Sequence, residues 1–296
     1  MNAPLLPQHL TRRQPADGRI RNAMTIDVED YFQVSAFAPF ISRDSWPTRE
    51  CRVEANIERI LAILAGADVQ ATFFTLGWIA ERYPAMVKRI AAAGHEVASH
   101  GYGHLRASDQ DRATFVDDIS RSKAILEDLA GQAVLGYRAP SFSIGPGNLW
   151  ALEALHECGY RYSSSIYPIK HDHYGMPDAP RFAYHPNGSD GLLEVPITTV
   201  RLMQRNLPAG GGGYFRLLPY ALSRWMMNQV NRQDGQPAIF YFHPWEIDPG
   251  QPRPEGVGMK SRFRHYVNLD KMERRIEALT RDFAWDRMDR IFLGQP

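Results

Sequence analysis

Gly94-His95-Glu96-Val97-Ala98-Ser99-His100-Gly101-Tyr102-Gly103-His104 is a short apolar run ending in two histidines four residues apart, with glycines between them. Glu96 to Ser99 predicts a strand that delivers His100 into a loop. Imidazole is the commonest protein ligand for a divalent transition metal, and two such rings can converge on one ion if the backbone curls. Gly101 and Gly103 are the residues that permit the curl, because glycine reaches positive φ without a Cβ clash. The segments on either side turn this half-site into a fold.

Toward the N-terminus, Met86, Val87, Ile90 and Ala91 give a helix that begins near Pro84 and is stopped by Gly94. Before it stands a buried strand, Ala71 to Leu76. Ile57, Ile60, Leu61 and Leu64 place a helix over Glu54 to Gly66. The first strand starts at Asn22 and runs into Asp27-Val28-Glu29-Asp30. Toward the C-terminus, Phe115, Ile119, Leu126 and Leu129 mark a helix over Arg112 to Leu129. A strand follows from Val134 to Arg138, then Ala139-Pro140-Ser141-Phe142-Ser143, a helix from Leu149 to Cys158 and a strand from Tyr160 to Ile166. Strands alternating with helices imply parallel pairing through crossover connections, hence an α/β sheet or barrel.

Tyr167 to Asp190 has no period and reads as a long surface loop. Leu192 to Val200 resumes as a strand, and the glycines of Ala209 to Tyr214 read as a flexible run that lacks the Lys-Ser/Thr of a phosphate loop. A helix over Pro219 to Val230 precedes the last core strand, Ala238 to Phe242. Leu269 to Phe283 is helical with Asn268 as its N-cap, and Ala284 to Phe292 is a closing strand or extended segment.

Composition bounds the function. Apolar content of 44%, charged content of 23% and a net charge of +1 describe an ordinary globular protein with no electrostatic case for nucleic acid. Two cysteines, Cys51 and Cys158, give no disulfide framework and read as buried thiols. Lys260, Arg262, Arg264 and His265 read as a solvated surface or a local anion contact. No transmembrane run is present, and Met1 to Arg21 lacks a secretory signal, so the expectation is a cytoplasmic protein with a loose N-terminal tail.

Four strand-like segments end in chemically capable residues: Asp27 to Asp30, His100 with His104, Arg138 with Pro140, and His243. Parallel strands bring such ends to one face. A carboxylate with two histidines suits a divalent metal and leaves positions for water and substrate. A second carboxylate can then act as base, and His243 can protonate a leaving group.

In order and motif, the chain resembles the polysaccharide deacetylases of carbohydrate esterase family 4, the NodB-homology family, and within it the branch of exosortase-associated exopolysaccharide loci. Thr25-Ile26-Asp27-Val28-Glu29-Asp30 stands at its Thr-Phe-Asp-Asp motif, and His100-Gly101-Tyr102-Gly103-His104 at its His-Ser/Thr-x-x-His motif. Arg138-Ala139-Pro140 stands at Arg-x-Pro, and Phe242-His243-Pro244-Trp245 at Leu-x-His. The resemblance implies a single-domain distorted (β/α) barrel over 22–245, after a flexible tail at 1–21, with the branch's C-terminal extension packed on it at 246–296. It also implies metal-dependent removal of acetyl groups, N-acetyl first, from amino sugars of an exopolysaccharide or its precursor; a cytoplasmic placement leaves open a lipid-linked precursor at the inner membrane face as the substrate. Asp27 would be the base, Arg138 its orienting partner and His243 the acid. His100 and His104, with Glu29 or Asp30, would hold one divalent ion, zinc before cobalt, nickel or manganese. Pro140, Ser141, Phe142 and Trp245 would contact substrate, with backbone N–H groups after Pro140 facing the oxyanion.

Three departures from the pattern stand out. Val28 separates the carboxylates, and strand alternation favours Glu29 over Asp30 as ligand. Gly101 replaces a residue whose hydroxyl would steady the loop. Tyr162-Ser163-Ser164-Ser165 lacks the family's Asp partner for the acid histidine, which leaves Glu246 or Asp248 to tune His243. Two other functions remain open at this point: hydrolysis of a non-sugar amide on the same scaffold, and polysaccharide binding without turnover. The aromatic loop Tyr167 to Tyr184 would suit stacking on sugar rings.

Overall fold

Alternate residues of the central strands belong to two different apolar layers, as expected of parallel strands covered on both sides. Met24, Ile26, Val28, Phe73, Val97, Phe240 and Phe242 face the layer beneath the helices, whereas Ala23, Phe74, Ala98, Ile239 and Tyr241 face the interior of the sheet's curve. The computed structural model describes residues 18–171, 174–186, 188 and 191–295. The sheet's eight strands are β1 (Arg21–Val28), β2 (Thr72–Thr75), β3 (Glu96–Ser99), β4 (Gly136–Tyr137), β5 (Tyr162–Ser163), β6 (Leu193–Glu194), β9 (Ile239–Phe242) and β10 (Ala284–Asp286), with β7 (Thr199–Leu202) and β8 (Arg205–Pro208) forming a separate hairpin. The order is β10-β1-β2-β3-β4-β5-β6 with β9 also on β1, and every pair within it is parallel. The result is a half-barrel in a single domain, and β4, β5 and β6 are shorter than their apolar runs suggest.

The helices α1 (Val53–Gly66), α2 (Gly77–Arg82), α3 (Pro84–Ala92), α4 (Arg112–Ala130) and α5 (Trp150–Glu157) follow their strands and cover the outer layer with Ile57, Ile60, Met86, Ile90, Phe115, Ile119 and Leu155. After β8 come α6 (Gly212–Leu217), α7 (Tyr220–Gln229), α8 (Met259–Tyr266) and α9 (Leu269–Asp282). No helix among the described residues is long and apolar enough to cross a membrane.

The glycine run is a seam rather than a flexible loop. The N–H of Ala209 donates to the Thr198 carbonyl (3.1 Å) and that of Tyr241 to the Gly210 carbonyl (2.7 Å), so this segment spans the gap between the continuation of β6 and β9. Gly211, at φ 121°, has no room for a side chain, because a Cβ there would lie 2.0 Å from the Tyr241 carbonyl oxygen. Asn268 holds the N-cap position of α9 as expected, but at φ 53° its side chain makes no capping bond and instead donates to the Arg216 carbonyl, 2.9 Å away. The C-terminal segment returns to the sheet, with β10 beside the start of β1 and the Met288 N–H on the Thr72 hydroxyl (2.8 Å).

Candidate active site

Parallel pairing sets the ends of β1, β3, β4 and β9 at one rim, and the residues just past those ends are Glu29, His100, Arg138 and His243. Asp27 lies two residues before Glu29, on the interior side of β1, where Arg138 meets it. The fully buried Arg138 guanidinium donates to Asp27 Oδ1 (2.6 Å), Thr25 Oγ1 (2.8 Å), the Ser164 carbonyl (3.2 Å) and the Ser164 hydroxyl (3.1 Å), and lies 4.1 Å over the Phe74 ring. Such a fork fixes the carboxylate in one orientation and leaves Oδ2 to face the site.

Glu29, His100 and His104 are buried, and each offers a ligand atom within 4.8 Å of the others. Glu29 Oε2 lies 2.6 Å from His104 Nε2 without the alignment of a hydrogen bond and has no other partner, a costly state for a buried carboxylate oxygen unless a cation sits there. Burial alone would raise the Glu29 carboxyl, but His104 outweighs it and holds the group ionised, well below the usual range. Burial pushes His100 down to about 4 against the opposing pull of Asp27, so its ring is neutral near pH 7. Its Nδ1 lies 2.8 Å from the Arg138 carbonyl, which can only accept, so Nδ1 carries the proton and Nε2 keeps its lone pair for a ligand bond. An orphaned carboxylate oxygen, a neutral imidazole and nitrogen-oxygen donor chemistry all fit zinc or a similar divalent ion.

Asp30 is elsewhere, which corrects its place among the candidate ligands. Its carboxylate accepts from the N–H groups of Tyr31 (2.8 Å), Arg52 (2.5 Å) and Val53 (2.9 Å) and from Cys51 Sγ (3.0 Å). That carboxylate ties β1's end to the start of α1 and has no capacity left for a metal. Cys51 and Cys158 are half-buried free thiols.

The loop from His100 to His104 curls through Gly101 (φ 76°) and through His104 itself (φ 53°), not through Gly103. Asp118 does the steadying expected of a hydroxyl, accepting from the Tyr102 N–H (3.1 Å), and a Cβ on Gly101 would lie 2.7 Å from its Oδ2. Gly101→Ser is therefore expected to lower stability by about 1–3 kcal/mol through strain at positive φ. Urea denaturation checks this, and a neutral or stabilising result contradicts the packing described.

His243 has the carboxylate partner that the Ser163 to Ser165 stretch lacks. Its Nδ1 lies 2.7 Å from Glu246 Oε1, whose other oxygen accepts from Arg216 Nε at 2.6 Å. Asp248 instead pairs with Arg52. Burial would lower the His243 pKa, but the Glu246 hydrogen bond and then Glu29 and Asp27 lift it to about 9. Nε2 faces the site, 3.6 Å from Glu29 Oε1 and 3.9 Å from Asp27 Oδ2. Sequence reasoning missed Arg216, although a lone arginine inside the apolar Phe215 to Leu218 is a signal for a buried partner.

Trp245 corrects another expectation. It is 5% exposed, with His243 stacked on it at 5.0 Å and His265 at 4.1 Å, so it offers no face to a sugar. Its Nε1 donates to Glu29 Oε1 (3.2 Å). His265 is thus buried rather than part of a solvated basic cluster. Arg216 donates to the carbonyls of His265 (2.7 Å), Val267 (3.0 Å) and Arg264 (3.1 Å), which pins α8's end beneath the site. Pro140 and Phe142 are buried, while Ser141 (φ 57°) and Phe142 (φ 51°) are both left-handed, a strained pair held by Ala139 N–H on Ser165 Oγ (2.9 Å) and by the Ser141 and Ser35 hydroxyls (2.6 Å). In the loop from Tyr167 to Asp190, Tyr167 is buried against Phe142 and Tyr174; Asp172, His173, Asn187, Ser189 and Asp190 lie outside the described residues.

Residues 43–163 match the family model for polysaccharide deacetylase. Over that stretch the chain is similar to polysaccharide deacetylases. Residues 164–293 match a second model, a domain of unknown function named DUF3473, which takes in His243, Glu246 and the C-terminal extension. A peptidoglycan-N-acetylglucosamine deacetylase of Bacillus cereus is 38% identical over 32% of this chain and 35% of its own length. A peptidoglycan deacetylase of Helicobacter pylori is 32% identical over 38% of each. The chain thus spans little more than a third of these relatives. A solved structure from Mycobacterium smegmatis, described as a polysaccharide deacetylase, aligns over 99% of this chain and 94% of its own with a TM-score of 0.62 at 21% identity, which shows a shared fold. The deacetylase domain match therefore contains His100, His104 and Arg138, whereas Asp27 and Glu29 precede it.

Proposed function

We propose that this protein is a metal-dependent deacetylase that removes N-acetyl groups from amino-sugar residues of a polysaccharide, an exopolysaccharide or its precursor. The observation that carries the reading is the convergence of an Arg138-held Asp27, a Glu246-backed His243 and the Glu29, His100 and His104 cluster at one sheet rim. The deacetylases among its relatives support the substrate class.

Glu29, His100 and His104 would hold the ion, which supplies a Lewis acid that lowers the pKa of water and stabilises developing negative charge. Asp27 takes the proton from the attacking water, and Arg138 keeps its carboxylate aimed. The Phe142 N–H already donates to the Ala139 carbonyl (3.0 Å), so the Ser141 N–H, on the left-handed turn after Pro140, is the backbone donor for the oxygen that gains charge. His243 Nε2 then gives its proton to the departing amine nitrogen. Glu246 favours the charged imidazolium that this step requires.

The binding-only alternative rested on a missing carboxylate beside His243, and Glu246 supplies one. Release of acetate from N-acetylglucosamine oligomers by protein loaded with zinc tests the reading. A folded, metal-loaded protein that releases none from any acetylated saccharide contradicts it. Because a general acid works only while protonated, activity is expected to fall as pH rises through about 9, the value for His243. In Glu246→Gln this alkaline limb moves to lower pH and the rate drops about tenfold; a kcat/KM profile with an unmoved limb removes Glu246 from the mechanism.

A further inference from the structure

Beside the ion-binding cluster, a cavity of about 470 Å³ opens between the segment Phe32 to Trp46 and the loop that follows His104. Its volume falls in the range of about 300–1,000 Å³ typical of small-ligand sites. His104 is part of its wall, so whatever fills it lies next to the reacting group. Its chemistry is one-sided. Gln33 Nε2 and Trp46 Nε1 belong to lining residues that are 2% and 5% exposed, and neither N–H group has an acceptor among the described residues. Both atoms have almost no accessible surface, so they stand behind the cavity wall and leave recognition to the charged groups that line it.

Two arginines line the same space. Arg43 donates to the His104 carbonyl (2.9 Å) with one nitrogen and lies 5.7 Å over the Trp46 ring. The Arg106 side chain makes no hydrogen bond or ion pair among the described residues. The one carboxylate lining the cavity, Asp109, accepts from Ser108 (2.9 Å). Two arginines and one aspartate leave a single positive charge. That balances one carboxylate better than a phosphate of charge near −2, and a planar carboxylate matches the guanidinium fork.

We propose that this cavity is a subsite for a uronic acid, so that the sugar to be deacetylated is recognised through an acidic neighbour in the same chain. The assignment rests on the deacetylase reading above and narrows its substrate to an acidic, amino-sugar-containing polysaccharide. Arg106 binds the carboxylate, with Arg43 beside it on the same wall.

The test uses hyaluronan oligosaccharides, which alternate N-acetylglucosamine with glucuronate, beside the same oligosaccharides with their carboxylates reduced to alcohols. Zinc-loaded protein is expected to favour the acidic form by about tenfold in kcat/KM, since charge-assisted hydrogen bonds at a partly exposed site contribute at the low end of their range. In Arg106→Gln that preference falls to near one. Arg106 is the better position to change, because Arg43 also holds the His104 loop. Equal use of both forms by the unaltered protein, or a preference that survives Arg106→Gln and Arg43→Gln alike, overturns the subsite and leaves the deacetylase reading intact. If neither form releases acetate, calorimetric binding decides: acid-selective binding lost in Arg106→Gln supports the subsite while the deacetylase reading falls, and unselective or absent binding overturns the subsite.

Discussion

Asp27→Asn lowers acetate release by about 10²–10⁴-fold, the usual worth of a positioned general base, and leaves zinc binding at the level of the unaltered protein. The two halves of this expectation come from different contacts. An amide cannot take a proton from water, yet its oxygen can still accept from Arg138 Nη1, which now lies 2.6 Å from Asp27 Oδ1. The atoms placed to hold an ion belong to Glu29, His100 and His104, with Asp27 outside that cluster. Acetate release assays beside zinc titration separate the two effects. Activity that persists in Asp27→Asn removes Asp27 as the base, and loss of zinc together with activity would instead make it a ligand.

Arg138→Leu is expected to lower stability by about 3–5 kcal/mol, the cost of stranding a buried charge. Against a total of about 5–15 kcal/mol for a typical domain, this brings the protein close to unfolding. Leucine retains part of the apolar stem over Phe74 but leaves the buried Asp27 carboxylate without its counter-ion, and the Ser164 carbonyl and hydroxyl without a donor. The loss comes from the stranded carboxylate, so the double variant Asp27→Asn, Arg138→Leu is more stable than Arg138→Leu alone. Urea denaturation of the set measures this. A single-variant loss below about 1 kcal/mol contradicts the burial of the pair.

The parts of the fold legible in the sequence are those where one local rule acts alone. Glu96 to Ser99 and Arg112 to Leu129 show their periods without competition, and they fold as β3 and, within a residue, α4. Strand alternation favours Glu29 over Asp30, and the Glu29 carboxylate lies beside both histidines. What Asp30 does could not be read, because its partners Cys51, Arg52 and Val53 come from the start of α1, more than twenty residues on. The glycine run misled for a related reason. Conformational freedom in Gly210 and Gly211 signals either mobility or a close backbone approach, and the latter is decided by Tyr241, thirty residues away. Trp245 carried no local sign that His243 and His265 would cover its two faces. The sequence leaves Glu246 and Asp248 as alternatives for tuning His243, and Arg216, which keeps Glu246 ionised, joins only through the packing of α6 against the extension.

The most direct test of the account needs no substrate. Zinc stoichiometry and affinity are measured by calorimetry and elemental analysis on the purified protein and on Glu29→Gln, His100→Ala and His104→Ala, with circular dichroism to establish that each is folded. The account predicts one ion per chain in the unaltered protein and affinity reduced by about 10²-fold or more in each variant, since each removes one of three protein ligands. A folded protein that binds no divalent ion, or variants that bind it as well as the parent, would contradict the metal site and with it the proposed hydrolysis.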